Sequence, residues 1–161
     1  MVEGRQAGTV GEGVGLPPQW TMLAALGGRM IEVSDGHAIG ELPLTEAVMQ
    51  PTRVFHAGAI ITLADEVASA AIYGGPVTLD ELSHKPFPYS VQISTNLITN
   101  DPVGPLTAEA SVVRRGRLTI VDTEVRTSEG KTAALMRSVH MMVDLKRTGP
   151  HSEALVPKVK D

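Results

Sequence analysis

The segment that most constrains the fold is HAGAIITLADEVASAAIYGG, residues 56–75. Between its glycines the run is long, alanine-rich and mostly apolar, which predicts a helix over about residues 58–73. Gly74 and Gly75 predict where that helix ends. Because apolar side chains cover most of its circumference, we expect the helix to be buried at the centre of a domain.

Most of the remaining sequence is strand-like. Residues 29–44 predict two strands around the hairpin dipeptide Asp35-Gly36. Four further segments with β-branched or alternating character follow the central helix, at residues 89–99, 105–115, 117–127 and 131–145. A short amphipathic helix is predicted before Gly27. Because helical and strand regions are segregated along the sequence, we predict an α+β fold in which an antiparallel sheet wraps the central helix.

The length of 161 residues suits one domain, which we expect at residues 17–145. Residues 1–16 are glycine-rich and are predicted to form a flexible arm, and residues 146–161 a loose tail. Only 3% of the residues are aromatic, so the core must be aliphatic.

The composition excludes several classes of function. A formal net charge of -4 gives no indication of nucleic-acid or anionic-membrane binding. The absence of cysteine excludes thiolate zinc sites and a cysteine nucleophile. The five histidines are scattered without a close ligand pair, so no metal site is predicted. With neither a signal sequence nor an apolar run of ~18–20 residues, we expect a cytoplasmic protein without a membrane partner.

Two neighbouring carboxylates, Asp65 and Glu66, interrupt the apolar helix. Helical spacing places Asp65 on a narrow polar stripe with Thr62 and Ser69, and places Glu66 about 100° away from it. An acidic pair on a helix usually faces solvent. Here few neighbours are polar, and a buried acid needs partners. We therefore predict a functional role for Asp65 but not for Glu66.

The start of the helix, His56-Ala57-Gly58, offers a second polar feature. Its first N–H groups lack intrahelical acceptors and small side chains leave them accessible, so they could stabilise an oxyanion. The alternative is an ordinary helix start with a structural His56. Ala57 and Asp65 are about 12 Å apart along one helix, beyond the ~3 Å reach of a catalytic group. Two helices packed antiparallel about a two-fold axis would bring them together, which predicts an obligate dimer with two composite sites.

The run HAGAIITLAD resembles the H-G-G-x-x-x-x-L-x-D signature of hotdog-fold acyl-CoA thioesterases of the phenylacetate-degradation type. The strand-like sequence of residues 90–143 is similar to the four closing strands of that family, so that the resemblance covers roughly residues 29–145. It implies a hotdog fold, dimers that share two active sites, and often tetramers built as dimers of dimers.

The resemblance also implies roles for individual residues. Asp65 would attack the thioester or activate water, and the Ala57 N–H of the partner subunit would polarise the carbonyl. Gln50 would position the carbonyl or water, and the hydroxyl of Ser69 or Ser90 would orient the acid or water. The expected substrate is an acyl-CoA or aryl-CoA, with no cofactor beyond the coenzyme A of the substrate.

Further substrate contacts are predicted at the helix start and at one turn of the sheet. His56 and Gly58 flank the N–H of Ala57 at the expected carbonyl site. Arg114, Arg115 and Arg117 surround Gly116 and could meet the phosphates of coenzyme A, although an ordinary solvated turn explains them equally well.

One departure from the family pattern is alanine at position 57, where glycine is usual. The N–H donor is retained, but alanine would be strained if the position required a positive φ. The extra methyl group would also narrow the acyl site.

Two other functions remain open on the same fold. One is a non-catalytic acyl-CoA-binding protein, which would have no need for the carboxylate of Asp65. The other is hydration of an enoyl-CoA, whose signature pairs Asp with His and is matched poorly by Asp65 and His56. A serine hydrolase is not indicated, because no G-x-S-x-G motif occurs.

Overall fold

The computed structural model describes residues 21–75 and 85–144. Its elements in chain order are α1 (Met22–Ala25), β1 (Arg29–Ser34), β2 (His37–Leu42), a 3-10 turn (Glu46–Val48), α2 (Ala57–Tyr73), β3 (Phe87–Leu97), β4 (Leu106–Arg114), β5 (Leu118–Arg126) and β6 (Thr132–Val143). Every predicted helix and strand is present, with shifts of a few residues at the ends. The predicted arm at 1–16 and tail at 146–161 lie outside the described residues.

The six strands form one sheet in the order β1-β2-β4-β5-β6-β3, and all neighbouring strands are antiparallel. Helix α2 lies across the sheet, mainly against β4 and β2 and to a lesser extent β5. Its buried residues recur at three- and four-residue steps and face the sheet: Ala59, Ile60, Leu63, Ala64, Val67, Ala68, Ala71 and Ile72. The predicted architecture, an antiparallel sheet around one long helix, is confirmed.

Local interactions fix where α2 begins and ends and how closely it approaches the sheet. The N-cap residue His56 accepts a hydrogen bond from the Gly58 N–H through its side chain. Gly74 ends the helix in the left-handed region, at a φ of 75°, which glycine adopts without strain. At Gly40 in β2, an added Cβ would lie 2.6 Å from a methyl group of Val67, so close helix–sheet packing requires glycine there.

One side of α2 is open within the single chain. Ile61, Asp65 and Ser69 are half-exposed, whereas the opposite side of the helix is fully buried. The sheet of one chain therefore buries one side of α2 and leaves the side that carries Asp65 accessible. No helix within the described residues is long and apolar enough to cross a membrane.

Candidate active site on the central helix

Asp65 lies on the open side of α2 and is held by a side chain from the sheet. Ser90 of β3 donates a hydrogen bond of 2.7 Å to Oδ1 of Asp65. The pairing of β3 with β6 shifts register between Ser90 and Gln92, so that Val91 is an extra residue in the strand. Such bulges change the direction of neighbouring side chains. Asp65 Oδ2 has no hydrogen-bond partner among the residues that the structure describes.

Behind Ser90 lie two polar residues that the sequence interpretation did not assign to the site. His140 is the cross-strand partner of Ser90 in β6, and its Nδ1 lies 3.3 Å from Ser90 Oγ. The other ring nitrogen, Nε2, lies 2.8 Å from Ser138 Oγ. His140 and Ser138 are both completely buried. The sequence pattern that could have indicated them is the occurrence of two polar residues on the face of β6 that also carries the buried Ala134 and Met136.

Glu66 has a different set of partners. Its Oε1 accepts a 2.8 Å hydrogen bond from the Leu23 N–H at the start of α1. Burial raises the pKa of the Glu66 carboxyl; hydrogen bonds from Leu23 and Met22 lower it, and the neighbouring Asp65 charge raises it. The carboxylate thus anchors the N-terminus of α1 to α2. The contact gives Glu66 a structural role.

At the start of α2, one backbone donor is left free. The Gly58 N–H is bonded to His56 Nδ1 at 2.9 Å, and the Ala59 N–H to the His56 carbonyl at 3.0 Å. In the described parts of the chain no acceptor bonds the Ala57 N–H. Ala57 is helical, and Arg53 is the one described non-glycine residue with a positive φ. Alanine at position 57 is therefore not strained.

Gln50 belongs to the loop that enters α2. Its side-chain amide donates a 2.8 Å hydrogen bond to Thr52 Oγ1, and the loop is closed by the bridge between Met49 and Phe55. Asn100 bonds both backbone groups of Phe55, accepting from its N–H at 3.1 Å and donating to its carbonyl at 2.8 Å. The sequence interpretation missed this side chain, which fixes the chain directly before the helix start.

The other predicted residues lie farther along the helix and sheet. Ser69 is one turn beyond Asp65, and its hydroxyl has no partner among the described residues. Arg115 pairs with Asp35 at 2.5 Å and donates to the Ile72 carbonyl at 3.3 Å, so it ties the β1–β2 turn to the end of α2. Arg114 and Arg117 are exposed, and no described residue pairs with them.

A separate groove of about 460 Å³ lies on the face of the sheet opposite α2. Glu109, Asp122 and Arg137 contribute charge to it, and Arg137 forms two 2.6 Å hydrogen bonds with Asp122. The sheet separates this groove from Asp65. Residues 21–75 and 85–144 contain no group of three or more His, Asp or Glu side chains suited to a metal ion.

Comparison with known proteins gives a relative and several similar structures, although no protein-family model matches the chain. A Deinococcus radiodurans protein, provisionally named an esterase, is 32% identical over 127 residues, covering 78% of this chain and 75% of the relative.

Two solved structures illustrate the likeness in fold. The Escherichia coli PaaI protein of the phenylacetic acid degradation operon has a TM-score of 0.64 at 22% identity, covering 75% of this chain and 83% of that one. A hypothetical thioesterase of Streptococcus pneumoniae, solved with coenzyme A, has a TM-score of 0.60 at 17% identity, covering 71% of this chain and 87% of that one. These likenesses confirm the fold predicted from the sequence.

Proposed function

The chain belongs to the hotdog-fold thioesterase family, and from this membership we propose that it hydrolyses acyl-CoA thioesters to coenzyme A and a carboxylic acid. The assignment of Asp65 as the catalytic group rests on the hydrogen bonding of its two carboxylate oxygens. Ser90 holds one oxygen of this carboxylate, and the other has no partner among the described residues. A carboxylate with one oxygen fixed and the other free is suited to act on a reacting group.

The oxyanion donor in this proposal is the Ala57 N–H of a partner subunit. Within one helix Ala57 and Asp65 are separated by eight residues, which is about 12 Å at 1.5 Å per residue. Among the described residues, the Ala57 N–H has no acceptor and Asp65 Oδ2 has no donor. A partner helix running antiparallel along the open side of α2 would bring the Ala57 of one chain to the Asp65 of the other.

Two features of the single chain support such a partner. The half-exposed Ile61 lies beside Asp65 and Ser69 on the open side of α2. Strand β3 pairs with β6 along one edge and is the last strand of the described sheet, so its other edge is unpaired. Several apolar side chains within β3 are exposed, including Val91 with an exposed fraction of 50% and Ile93 with one of 40%. A long, apolar edge strand is normally covered in a native protein. We infer a homodimer, or a dimer of such dimers.

In the proposed reaction the thioester carbonyl accepts a hydrogen bond from the partner's Ala57 N–H. Asp65 takes a proton from water as the water oxygen attacks the carbonyl carbon, which gives a tetrahedral oxyanion. When the oxyanion collapses, the C–S bond breaks and the thiolate of coenzyme A receives the proton from Asp65. In the alternative course Asp65 itself attacks the carbonyl carbon, and the C–S bond breaks to release the coenzyme A thiolate. Water then hydrolyses the resulting anhydride to the carboxylic acid and the free Asp65 carboxylate, and the proton released in this step protonates the thiolate.

The remaining predicted residues take supporting roles. Gln50 lies in the loop before the helix start, where its amide could position the carbonyl or the water. Ser90 orients Asp65, and the free hydroxyl of Ser69 could bind water one turn away. Arg114 and Arg117 are available to the phosphates of coenzyme A, whereas Arg115 is already engaged by Asp35 and Ile72. His56 and Gly58 shape the carbonyl site through their mutual hydrogen bond.

A turnover screen tests the assignment. Wild-type protein is supplied with a panel of medium-chain fatty acyl-CoAs and aryl-CoAs, and the release of free thiol is followed. Thiol release from at least one member is expected, and Asp65→Ala should reduce kcat by at least about 100-fold while the protein remains folded. Binding of acyl-CoA without turnover would favour the non-catalytic alternative, and undiminished kcat in Asp65→Ala would refute the role of that carboxylate.

Mixed oligomers test the shared site. Asp65→Ala and Gln50→Ala chains are unfolded together and refolded, and the heterodimer is isolated with two affinity tags. Each heterodimer should contain one site with both residues intact and therefore recover up to about half of the wild-type activity. Activity no higher than in the two parent variants would show that each site is built from a single chain.

A further inference from the structure

The hydrogen-bonded chain from Asp65 continues into the core beyond Ser90. It runs from Asp65 Oδ1 to Ser90 Oγ, then to His140 Nδ1, and from His140 Nε2 to Ser138 Oγ, over 2.7, 3.3 and 2.8 Å. His140 and Ser138 are 0% exposed. Burying an imidazole and a hydroxyl is costly unless they are hydrogen-bonded, so this arrangement needs a physical reason.

The direction of each hydrogen bond follows from the capacity of each group. The Asp65 carboxylate can only accept, so the single hydroxyl hydrogen of Ser90 points toward it. Ser90 Oγ therefore faces His140 with a lone pair, and His140 Nδ1 must carry a hydrogen.

The second ring nitrogen completes the pattern. Burial lowers the pKa of the His140 imidazole, whereas the negative charge of Asp65 and the backbone of Pro88 raise it; the net shift is downward, toward the neutral form. A neutral ring with its hydrogen on Nδ1 leaves Nε2 as an acceptor, and the Ser138 hydroxyl is the donor that meets it. Each hydrogen in the chain then has one consistent place.

We propose that His140, held in this tautomer by Ser138, is a positioning residue that fixes the Ser90 hydroxyl on Asp65. The inference rests on the proposed role of Asp65 in thioester hydrolysis. His140 does not touch the substrate, because it is completely buried and both its nitrogens are engaged. Its effect is to keep Ser90 from rotating away, so that Asp65 presents its free oxygen in one orientation.

The test is a double-mutant cycle between His140 and Ser90. His140→Leu removes both nitrogens at similar volume and should lower kcat about tenfold, with KM changed less than about twofold. His140→Asn places an amide donor near the position of Nδ1 and should recover most of the loss. In a Ser90→Ala background, His140→Leu should lower kcat almost no further, because the hydroxyl that His140 positions is absent.

Ser138→Ala provides a second route if His140→Leu does not fold. It removes the donor that selects the tautomer while leaving the imidazole in place. Introduced into the wild-type protein, it should therefore lower kcat, whereas introduced into Ser90→Ala it should cause no further loss of kcat. The control is His37→Asn, a histidine on β2 that pairs with Glu109 on the surface and should leave kcat unchanged.

Two results would overturn the inference, and they are distinguishable. If the His140→Leu and Ser90→Ala losses multiply while Asp65→Ala is inactive, His140 has a purely structural role and the proposed function stands. If Asp65→Ala retains wild-type kcat, the function assigned to the carboxylate fails, and the role of His140 fails with it. Thermal unfolding and light scattering on each variant ensure that only folded oligomers are compared.

Discussion

The two faces of α2 that carry Asp65 and Glu66 use the same chemical group in opposite ways. On one face, Asp65 accepts one hydrogen bond from a serine hydroxyl of the sheet, and its second oxygen has no described partner. On the other, Glu66 accepts from the Leu23 N–H at the start of α1. Adjacent residues with equal charge thus differ in what remains available after folding.

With Asp65 in its proposed catalytic role, the two acids differ more clearly in the kind of partner that each has than in burial. Both carboxylates are half-buried. The Leu23 N–H lies in the first turn of a short helix and has no intrahelical acceptor, so Glu66 satisfies a donor that would otherwise be unpaired. Ser90 forms hydrogen bonds with both the buried His140 and Asp65. It therefore orients the Asp65 carboxylate while leaving Oδ2 without a described partner.

The largest expected effect comes from a matched pair of amide substitutions. Asp65→Asn keeps the shape of the side chain and one acceptor but cannot take a proton, so kcat should fall at least about 100-fold. Glu66→Gln keeps the acceptor for the Leu23 N–H, so kcat should stay within about threefold of wild type. Steady-state thiol release with the best acyl-CoA measures both. Equal losses in the two variants would remove the distinction between the two faces.

The second expected effect concerns stability. Glu66→Ala removes the acceptor of the Leu23 N–H and should lower the free energy of unfolding by about 1–3 kcal/mol. Asp65→Ala should cost less, because it leaves only the Ser90 hydroxyl without its partner. Urea unfolding followed by circular dichroism provides the values.

Glu46→Ala is the control for this comparison. Glu46 is exposed, and its loss should change the free energy of unfolding by less than about 0.5 kcal/mol. If Glu66→Ala lowers the free energy of unfolding no more than the control does, the carboxylate does not stabilise the position of α1. The contact would then be incidental to the fold.

Much of the fold could be predicted from the sequence because its signals are local. The apolar run before Gly74 gave a helix at about residues 58–73, and α2 spans Ala57–Tyr73. The polar stripe on that helix singled out Asp65. Those signals did not reveal His140, because its contact with Ser90 joins positions 50 residues apart. That contact depends on β3–β6 register and on the bulge at Val91, neither of which local periodicity reports.

The smallest expected effect is a pH dependence that belongs to Glu66. Burial raises the pKa of its carboxyl above the usual value of 4.5, with the Asp65 charge acting in the same direction and the N–H groups of α1 opposing it. The folded protein then binds this proton more tightly than the unfolded chain does. The corresponding stabilisation is complete below pH 4.5 and is lost as the pH rises through the folded-state pKa.

Glu66→Gln lacks this titration, so its stability relative to wild type should improve as the pH rises from 4 toward 7. Urea unfolding of both proteins across that range measures the difference, and Glu46→Gln should run parallel to wild type because Glu46 is exposed. A constant difference, or one that changes in the opposite direction, would mean that the N–H groups of α1 outweigh burial. Glu66 would then be stabilised as the ion, and the two faces of α2 would differ only in which donors they meet.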